Sequence, residues 1–318
     1  MTVTVIGCGR WGTFIAWYLD QINHHVTLYG RESSKNMQEL VSTRNNSFLS
    51  LSENVELTTS LEKLNESEII VISISAQNLS SLMAEIAKCN IKNKMIVLCM
   101  KGIEISTGRR LTEIVKDNVD SSNSVSVWLG PGHVEEFFQG IPNCMVIDSD
   151  DKAVKEELVS QFSSNLIRFY YGDDLIGSEI GGAAKNVIGI AAGMLDGLNL
   201  STLKGSLMSR GTREIARLIS AMGGKELSAY GLCHLGDYEA TVFSPFSHNR
   251  EFGEKFVKDE EYTSLAEGYY TVKALMLLKD KYQVDLPICT AVYDVLYNDA
   301  DPQNILQDLF CRSIKKEF

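Results

Sequence analysis

At 318 residues, 44% of them hydrophobic and 22% charged, the chain has the composition of an ordinary globular protein and the length for two buried cores. A formal charge of −11 argues against a nucleic-acid partner, so any anionic substrate needs a local cationic pocket. No apolar run reaches membrane-span length, Met1 leads straight into a strand pattern, and the seven cysteines are scattered without CxxC or histidine clustering; the expectation is a soluble, cytoplasmic protein with reduced thiols and neither metal site nor disulfide framework.

The first element predicted is a β-branched strand, Thr2-Val3-Thr4-Val5-Ile6. It runs into Gly7-Cys8-Gly9-Arg10-Trp11-Gly12 and then a helical apolar pattern, Phe14 to Leu19. Strand, glycine turn and helix in that order give GxGxxG its dinucleotide-binding sense. Gly7 makes the turn, Gly9 lets backbone approach a pyrophosphate, and Gly12 lets helix pack on strand, with the anion at the helix N-terminus. A second strand, His25 to Tyr29, ends in Gly30-Arg31-Glu32-Ser33-Ser34-Lys35, where an NAD-preferring site usually carries an acidic residue. Arg31 with its polar neighbours suits a 2′-phosphate, which favours NADP, while Glu32 keeps NAD open; the same stretch is also compatible with an exposed polar loop.

Further strands are predicted at 55–58, 69–74, 95–99, 125–129 and 144–147, with helices at 79–87 and 108–115 between them. The continuous β-branched runs look buried on both faces, which implies an α/β fold built on a parallel, doubly wound Rossmann-type sheet. Lys101-Gly102 and Gly130-Pro131-Gly132-His133 follow strand ends, where ligands of such sheets collect. Beyond about Asp173 no β-rich run is expected. Helical patterns at 181–195, 205–222, 262–281 and 286–297 imply an all-helical second domain, placing a dinucleotide-binding domain at 1–178 and a helical substrate-binding domain at 179–318, with a cleft between.

Lys185 lies within Glu179-Ile180-Gly181-Gly182-Ala183-Ala184-Lys185-Asn186-Val187-Ile188-Gly189, a lone cation among small and apolar residues. Burial would lower its pKa toward neutrality, as proton transfer requires; the alternative is a lysine that edges a buried helix and snorkels to solvent. Two polar, loop-like stretches follow, 231–241 and 244–253. Asp237 is either the partner of Lys185 or a surface carboxylate. Ser247 and Asn249 either hold an anion at a helix start or cap it.

Taken together, GCGRWG at 7–12, KGIE at 101–104, LGPGHVEE at 129–136, IGGAAKNVIGIAAGMLDGL at 180–198, SRGTREIARL at 209–218, LGDYEAT at 235–241, SHNREFG at 247–253 and AEG at 266–268 resemble the bacterial-type NAD(P)-dependent glycerol-3-phosphate dehydrogenases, nearly end to end. The resemblance implies that Lys185 exchanges a proton with the substrate carbonyl, with Lys101 and Asp237 beside it. It implies substrate contacts from Lys101, Gly130, Gly132, Lys185, Asp237, Thr241, Ser247, His248 and Asn249. Dinucleotide contacts are implied for Gly7, Gly9, Arg10, Trp11, Gly12, Arg31, Lys101, Val134, His248 and Glu267. The implied substrate is dihydroxyacetone phosphate or glycerol 3-phosphate, the role phospholipid synthesis, and the assembly a homodimer.

Two positions depart from the family pattern. His248 stands where an arginine is typical, and Gly132 where serine or threonine is. The first sets the expectation that His248 is the substitute cation, with a phosphate grip that weakens at high pH. A paralogue acting on another small hydroxy or keto acid, and a non-catalytic dinucleotide sensor, are the competing readings.

Overall fold

Residues Ile69 to Ile72 show how the sequence builds its first domain. Ile69 and Val71 point into one core and Ile70 and Ile72 into another, because successive strand side chains face opposite sides of a sheet. A strand buried on both faces must be central, with helices above and below it. The structure, a computed structural model, describes residues 1–314, 316 and 317.

In chain order the first domain contains β1 (Thr2–Ile6), α1 (Arg10–Gln21), β2 (His25–Tyr29), α2 (Lys35–Thr43), β3 (Glu56–Thr58), β4 (Ile69–Ile72), α3 (Leu79–Ile86), β5 (Met95–Leu98), α4 (Leu111–Asn118), β6 (Ser124–Leu129), α5 (Val134–Phe138), β7 (Asn143–Ser149), α6 (Lys152–Phe162) and β8 (Ile167–Tyr171). The strands form one sheet in the order β3-β2-β1-β4-β5-β6-β7-β8. α1 and α6 cover one face and α3 and α4 the other. The order reverses between β1 and β4, which is where a doubly wound sheet opens a crevice at its strand ends.

Two features differ from the expected sheet. β7 pairs antiparallel to β6, while every other pairing is parallel. The link between them holds only the five-residue α5. Such a helix rises about 7.5 Å, whereas returning past a six-residue strand needs roughly 20 Å, so the chain reverses instead of crossing over. β8 was also not expected. It is an edge strand with Ile167 and Phe169 buried and Arg168, Tyr170 and Tyr171 exposed, so its signal is a short alternation rather than an apolar run.

The helical half comprises α7 (Leu175–Gly197), α8 (Lys204–Ala221), α9 (His248–Val257), α10 (Glu267–Tyr282), α11 (Pro287–Tyr297) and α12 (Pro302–Phe310). α7 is buried along nearly all of its 23 residues. Glycines let it touch α9 backbone to backbone: a Cβ on Gly193 would stand 1.9 Å from the Arg250 carbonyl oxygen, and one on Gly253 2.1 Å from that of Ile190. Each helical glycine costs about 1 kcal/mol against alanine, which the close packing offsets. α9 lies in a stretch read as loop, because its polar first turn hides the periodicity.

Glu179 fastens the two halves together. Its Oε1 accepts from the Thr112 amide at 2.9 Å, and its Oε2 accepts from Arg110 Nη1 and Thr112 Oγ1, each at 2.6 Å. Burial pushes this carboxyl above its ordinary value and the Arg110 charge opposes the shift. Among the described residues no helix is long and apolar enough to cross a membrane. Glu179→Ala leaves the buried Thr112 amide and hydroxyl without their acceptor and Arg110 with Glu113 alone, with an expected loss of about 3 kcal/mol in urea unfolding. A variant with an unchanged unfolding midpoint would contradict this account of the junction.

Candidate active site

β1 delivers the chain into a turn that only glycine fits. Gly7 has φ +116°, and a Cβ there would sit 2.0 Å from the Ser73 carbonyl oxygen at the end of β4. A Cβ on Gly12 would meet the Gly7 carbonyl oxygen at 1.9 Å, so the third glycine seats α1 on the sheet. Gly9 differs from both, with nothing within 4 Å of its would-be Cβ and an ordinary φ of −76°. Its missing side chain leaves open space before the N-terminus of α1, whose first amides lack intrahelical acceptors. That is the cradle a dinucleotide pyrophosphate needs.

Arg10 leaves this turn to pair with Glu135 of α5, and its guanidinium lies over the Phe48 ring at 4.8 Å. Trp11, half-buried, packs on Phe14 and Phe137. Arg31 is exposed just past β2, where a ribose 2′-substituent would lie, and Glu32 beside it is also exposed. Ser34 caps α2 by accepting from the Met37 amide at 3.4 Å. Val134 is buried in the sheet core. Glu267, at the start of α10, accepts from the Ala76 amide at 3.3 Å, while its Oε2 is buried without a partner. Burial raises the Glu267 carboxyl above its ordinary value. An unsatisfied buried carboxylate oxygen at the ends of β4 and β5 suits a ribose hydroxyl donor, so the residues fit a bound dinucleotide.

The helical half contributes a buried charge cluster that meets the end of β5. Lys185 Nζ donates to Thr241 Oγ1 at 2.7 Å and lies 3.2 Å from Asp237 Oδ2. Lys101, past the end of β5, donates to the same Asp237 oxygen at 2.5 Å and to the Gly130 carbonyl at 2.7 Å. Lys185 and Asp237 are 8% and 1% exposed, so Lys185 does not snorkel and Asp237 is no surface carboxylate. Burial, reinforced by the Lys101 charge and opposed by Asp237, brings the Lys185 ammonium down to about 8. Two ammonium groups against one carboxylate leave a net positive pocket for an anionic substrate, inside a chain of charge −11.

Asn186, one residue past Lys185, carries the cluster outward. It donates to the Lys101 carbonyl at 3.0 Å and accepts from Asn249 Nδ2 at 3.1 Å, while Asn249 Oδ1 accepts from the Gly268 amide at 2.9 Å. α7, α9 and α10 are thereby tied to the end of β5. Asn186 was not among the expected site residues, although a second polar side chain inside so apolar a run was the available signal. His133 was missed too. Its ring packs on Phe246 at 5.6 Å, its Nε2 is buried, and burial lowers its basicity next to Lys185 and Asp237.

The N-terminal half, residues 2–155, matches the family model described as NAD-dependent glycerol-3-phosphate dehydrogenase N-terminus, and residues 174–307 match its C-terminal counterpart. A glycerol-3-phosphate dehydrogenase [NAD(P)+] of Thermoanaerobacter is 33% identical over all of this chain and 99% of its own length. One from Clostridium botulinum is 34% identical over 99% of the chain and 98% of its own. The chain belongs to the NAD(P)-dependent glycerol-3-phosphate dehydrogenase family. The crystal structure of the Coxiella burnetii glycerol-3-phosphate dehydrogenase superposes with a TM-score of 0.90 at 27% identity, covering 98% of this chain and 99% of that one. A D-mandelate dehydrogenase solved with NADH and anilino(oxo)acetate shares the fold at a TM-score of 0.65 and 13% identity, covering 96% of this chain and 99% of that one.

Against the glycerol-3-phosphate dehydrogenase pattern, the two departures acquire physical form. Gly132 has φ +142°, and a Cβ there would fall 2.2 Å from the Phe137 ring, so a serine or threonine does not fit beside this phenylalanine. His248 shares a hydrogen bond with Tyr262 Oη at 2.9 Å; burial first, then the nearby Arg10 charge, hold it below its ordinary value of 6.5. The ring lies at the exposed start of α9, so this lowering leaves open its expected part in gripping a phosphate. Arg250 is no replacement, being held by Asp196 and Glu254 at 2.9 Å each. Ser247 acts as the N-cap of α9, accepting from the Arg250 amide at 3.3 Å.

The glycine turn makes opposite forecasts for neighbouring substitutions. Gly9→Ala should fold with an unchanged melting temperature yet bind dinucleotide about tenfold or more weakly, its methyl filling the open approach. Gly7→Ala should lower the melting temperature by several degrees, since both its φ and its space are denied. Equal melting temperatures for the two variants would refute this division of roles.

Proposed function

We propose that this chain reduces dihydroxyacetone phosphate to sn-glycerol 3-phosphate, in the cytoplasm, to supply the backbone of phospholipids. The observation that carries the reading is the buried cluster of Lys185, Asp237 and Lys101, in which the end of β5 in the dinucleotide-binding half meets the helical half. When bound, the nicotinamide dinucleotide supplies the hydride. Lys185 holds the proton that the carbonyl oxygen must gain, and Thr241 and Asp237 hold the ammonium in place. Lys101 adds a second positive charge against the developing alkoxide and the phosphate. With an imidazole in place of an arginine fork at position 248, the phosphate grip leans on these lysines and on the first amides of α9, whose N-cap is Ser247. The imidazole at position 248, which lacks arginine's bidentate fork, also favours, as a second reading, a substrate of the same size with a less demanding anionic end. A sensor without turnover has no use for a proton donor buried beside the cofactor site.

Arg31 supports a preference for NADP over NAD, since its exposed guanidinium suits a 2′-phosphate. A homodimer through the helical half is supported by apolar side chains left exposed there, among them Leu227, Leu277 and Phe310. Sedimentation at micromolar concentration tests it, and a monomer would refute it.

Purified protein with NADPH or NADH and dihydroxyacetone phosphate should consume the reduced cofactor. Lys185→Ala should lower kcat about a thousandfold with the fold intact. In the reducing direction Lys185 must be protonated, so kcat should be level below pH 7 and fall about tenfold per unit above its value of about 8. The oxidising direction needs the free amine and should show the mirror-image rise. No turnover by the wild type, or full turnover by the alanine variant, refutes the proposal. Arg31→Ala should raise the KM for NADPH about tenfold and leave that for NADH unchanged; equal effects on both would remove Arg31 from cofactor choice.

A further inference from the structure

Asp237 and Thr241 sit on an irregular segment rather than on a long helix, yet their oxygens must stay within hydrogen-bonding reach of a lysine on α7. Residues Leu235–Asp237 form a single helical turn, and Glu239–Phe243 form a π-helical turn, a geometry that frequently marks functional sites. Its short turns are closed by local backbone hydrogen bonds, among them Asp237 N to the His234 carbonyl and Thr241 N to the Tyr238 carbonyl. Those bonds set its shape but not its distance from α7.

The fixture is a pair of side chains flanking Asp237. His234 and Tyr238 are each 0% exposed, with rings 4.9 Å apart edge to face. His234 Nδ1 lies 2.9 Å from the Gly181 carbonyl oxygen, and Tyr238 Oη lies 2.8 Å from His234 Nε2. A carbonyl oxygen only accepts, so Nδ1 carries the proton, Nε2 is the acceptor, and the tyrosine hydroxyl donates to it. Burial brings the imidazole down to about 4, so this tautomer is uncharged throughout the neutral range. The Gly181 carbonyl is also the α-helical acceptor for the Lys185 amide, four residues on. The imidazole therefore grips α7 at the turn that carries the lysine. Gly181 permits this approach, since its would-be Cβ stands 3.0 Å from His234 Cβ. Tyr238 reaches past the imidazole to α8, where a Cβ on Gly211 would come 3.4 Å from its hydroxyl.

We propose that His234 and Tyr238 are positioning residues that register Asp237 and Thr241 against Lys185 by clamping the 234–241 segment onto α7. Neither touches the lysine. They act through the carboxylate between them in sequence, and the inference rests on Lys185 being the proton donor of the reaction proposed above. Asp237 and Thr241 from the clamped segment, Lys101 from the end of β5, and the imidazoles of His133 and His234 are the groups whose charge or hydrogen bonds bear on Lys185. Of these, Asp237 keeps the ammonium protonated, so loosening the segment lowers the pH at which Lys185 gives up its proton.

Tyr238→Phe removes one hydroxyl and no volume; His234→Asn keeps a donor near the Nδ1 position and loses the bond to Tyr238; His234→Ala loses both. Each variant is checked for folding by circular dichroism and for NADPH affinity by fluorescence titration, and both should match the wild type. Expected are falls in kcat of about tenfold for Tyr238→Phe and His234→Asn and about a hundredfold for His234→Ala, with KM for dihydroxyacetone phosphate within about twofold. The alkaline limb of the kcat profile should move to lower pH in the same order. Independently of turnover, the pH dependence of Lys185 acylation by acetic anhydride, read by peptide mass mapping, should show the same downward shift. Folded variants with wild-type kcat and an unmoved limb overturn the proposal, and if His234→Ala does not fold, Tyr238→Phe decides alone. A wild type that fails to oxidise NADPH sinks the functional reading instead, and the acylation profiles then judge the clamp on their own.

Discussion

Two ammonium groups share one oxygen of a buried carboxylate, and the rest of the molecule is arranged so that they can. Lys101 comes from the end of a strand, Asp237 from an irregular segment and Lys185 from the middle of a buried helix. No one of these charges is tolerable alone away from water. Their mutual compensation requires the strand end, the segment and the helix to meet within 3.2 Å. The surplus positive charge that remains gives an acidic chain an anion pocket, and burial brings the lysine into the range where protons move at physiological pH.

α7 is the element that makes this meeting possible. Its small residues admit α9 to backbone contact near Gly193, and its polar residues each face a different neighbour. Glu179 fastens it to α4, Gly181 receives the imidazole of His234, Lys185 meets Asp237 and Thr241, and Asn186 reaches the Lys101 carbonyl. Glu179 and Asn186 lie on one face of the helix and Gly181 and Lys185 on another, so one rigid rod serves as both domain junction and site scaffold. A polar side chain in such a run is costly unless satisfied, and each of these is satisfied by a partner distant in sequence.

Much of this was legible from local pattern. The glycine turn, the buried central strands and the lone lysine stand in short stretches whose chemistry is self-contained. β8 escaped because an edge strand shows only Ile167 and Phe169 to the core, and the reversal at β7 because strand direction depends on what a five-residue helix can span. α9 escaped because its polar first turn resembles a loop. The surroundings of His248 were beyond local reading: the sequence shows an imidazole, while the lowering of its pKa comes from partial burial and from Arg10 about 240 positions away in the chain.

The amino-acid order by itself determined the class of fold, the cofactor turn, the identity of the buried lysine and, through several motifs in fixed order, the family. These follow from backbone preference and hydrophobic periodicity, which act over a few residues. The tertiary structure alone decided which carboxylate neutralises Lys185, that Lys101 competes for the same oxygen, that Gly132 has no room for a side chain, and that a neutral histidine braces the segment carrying Asp237. Electrostatic coupling and close packing fall off with distance in space, and the groups involved are brought together only when the helical half closes against the sheet.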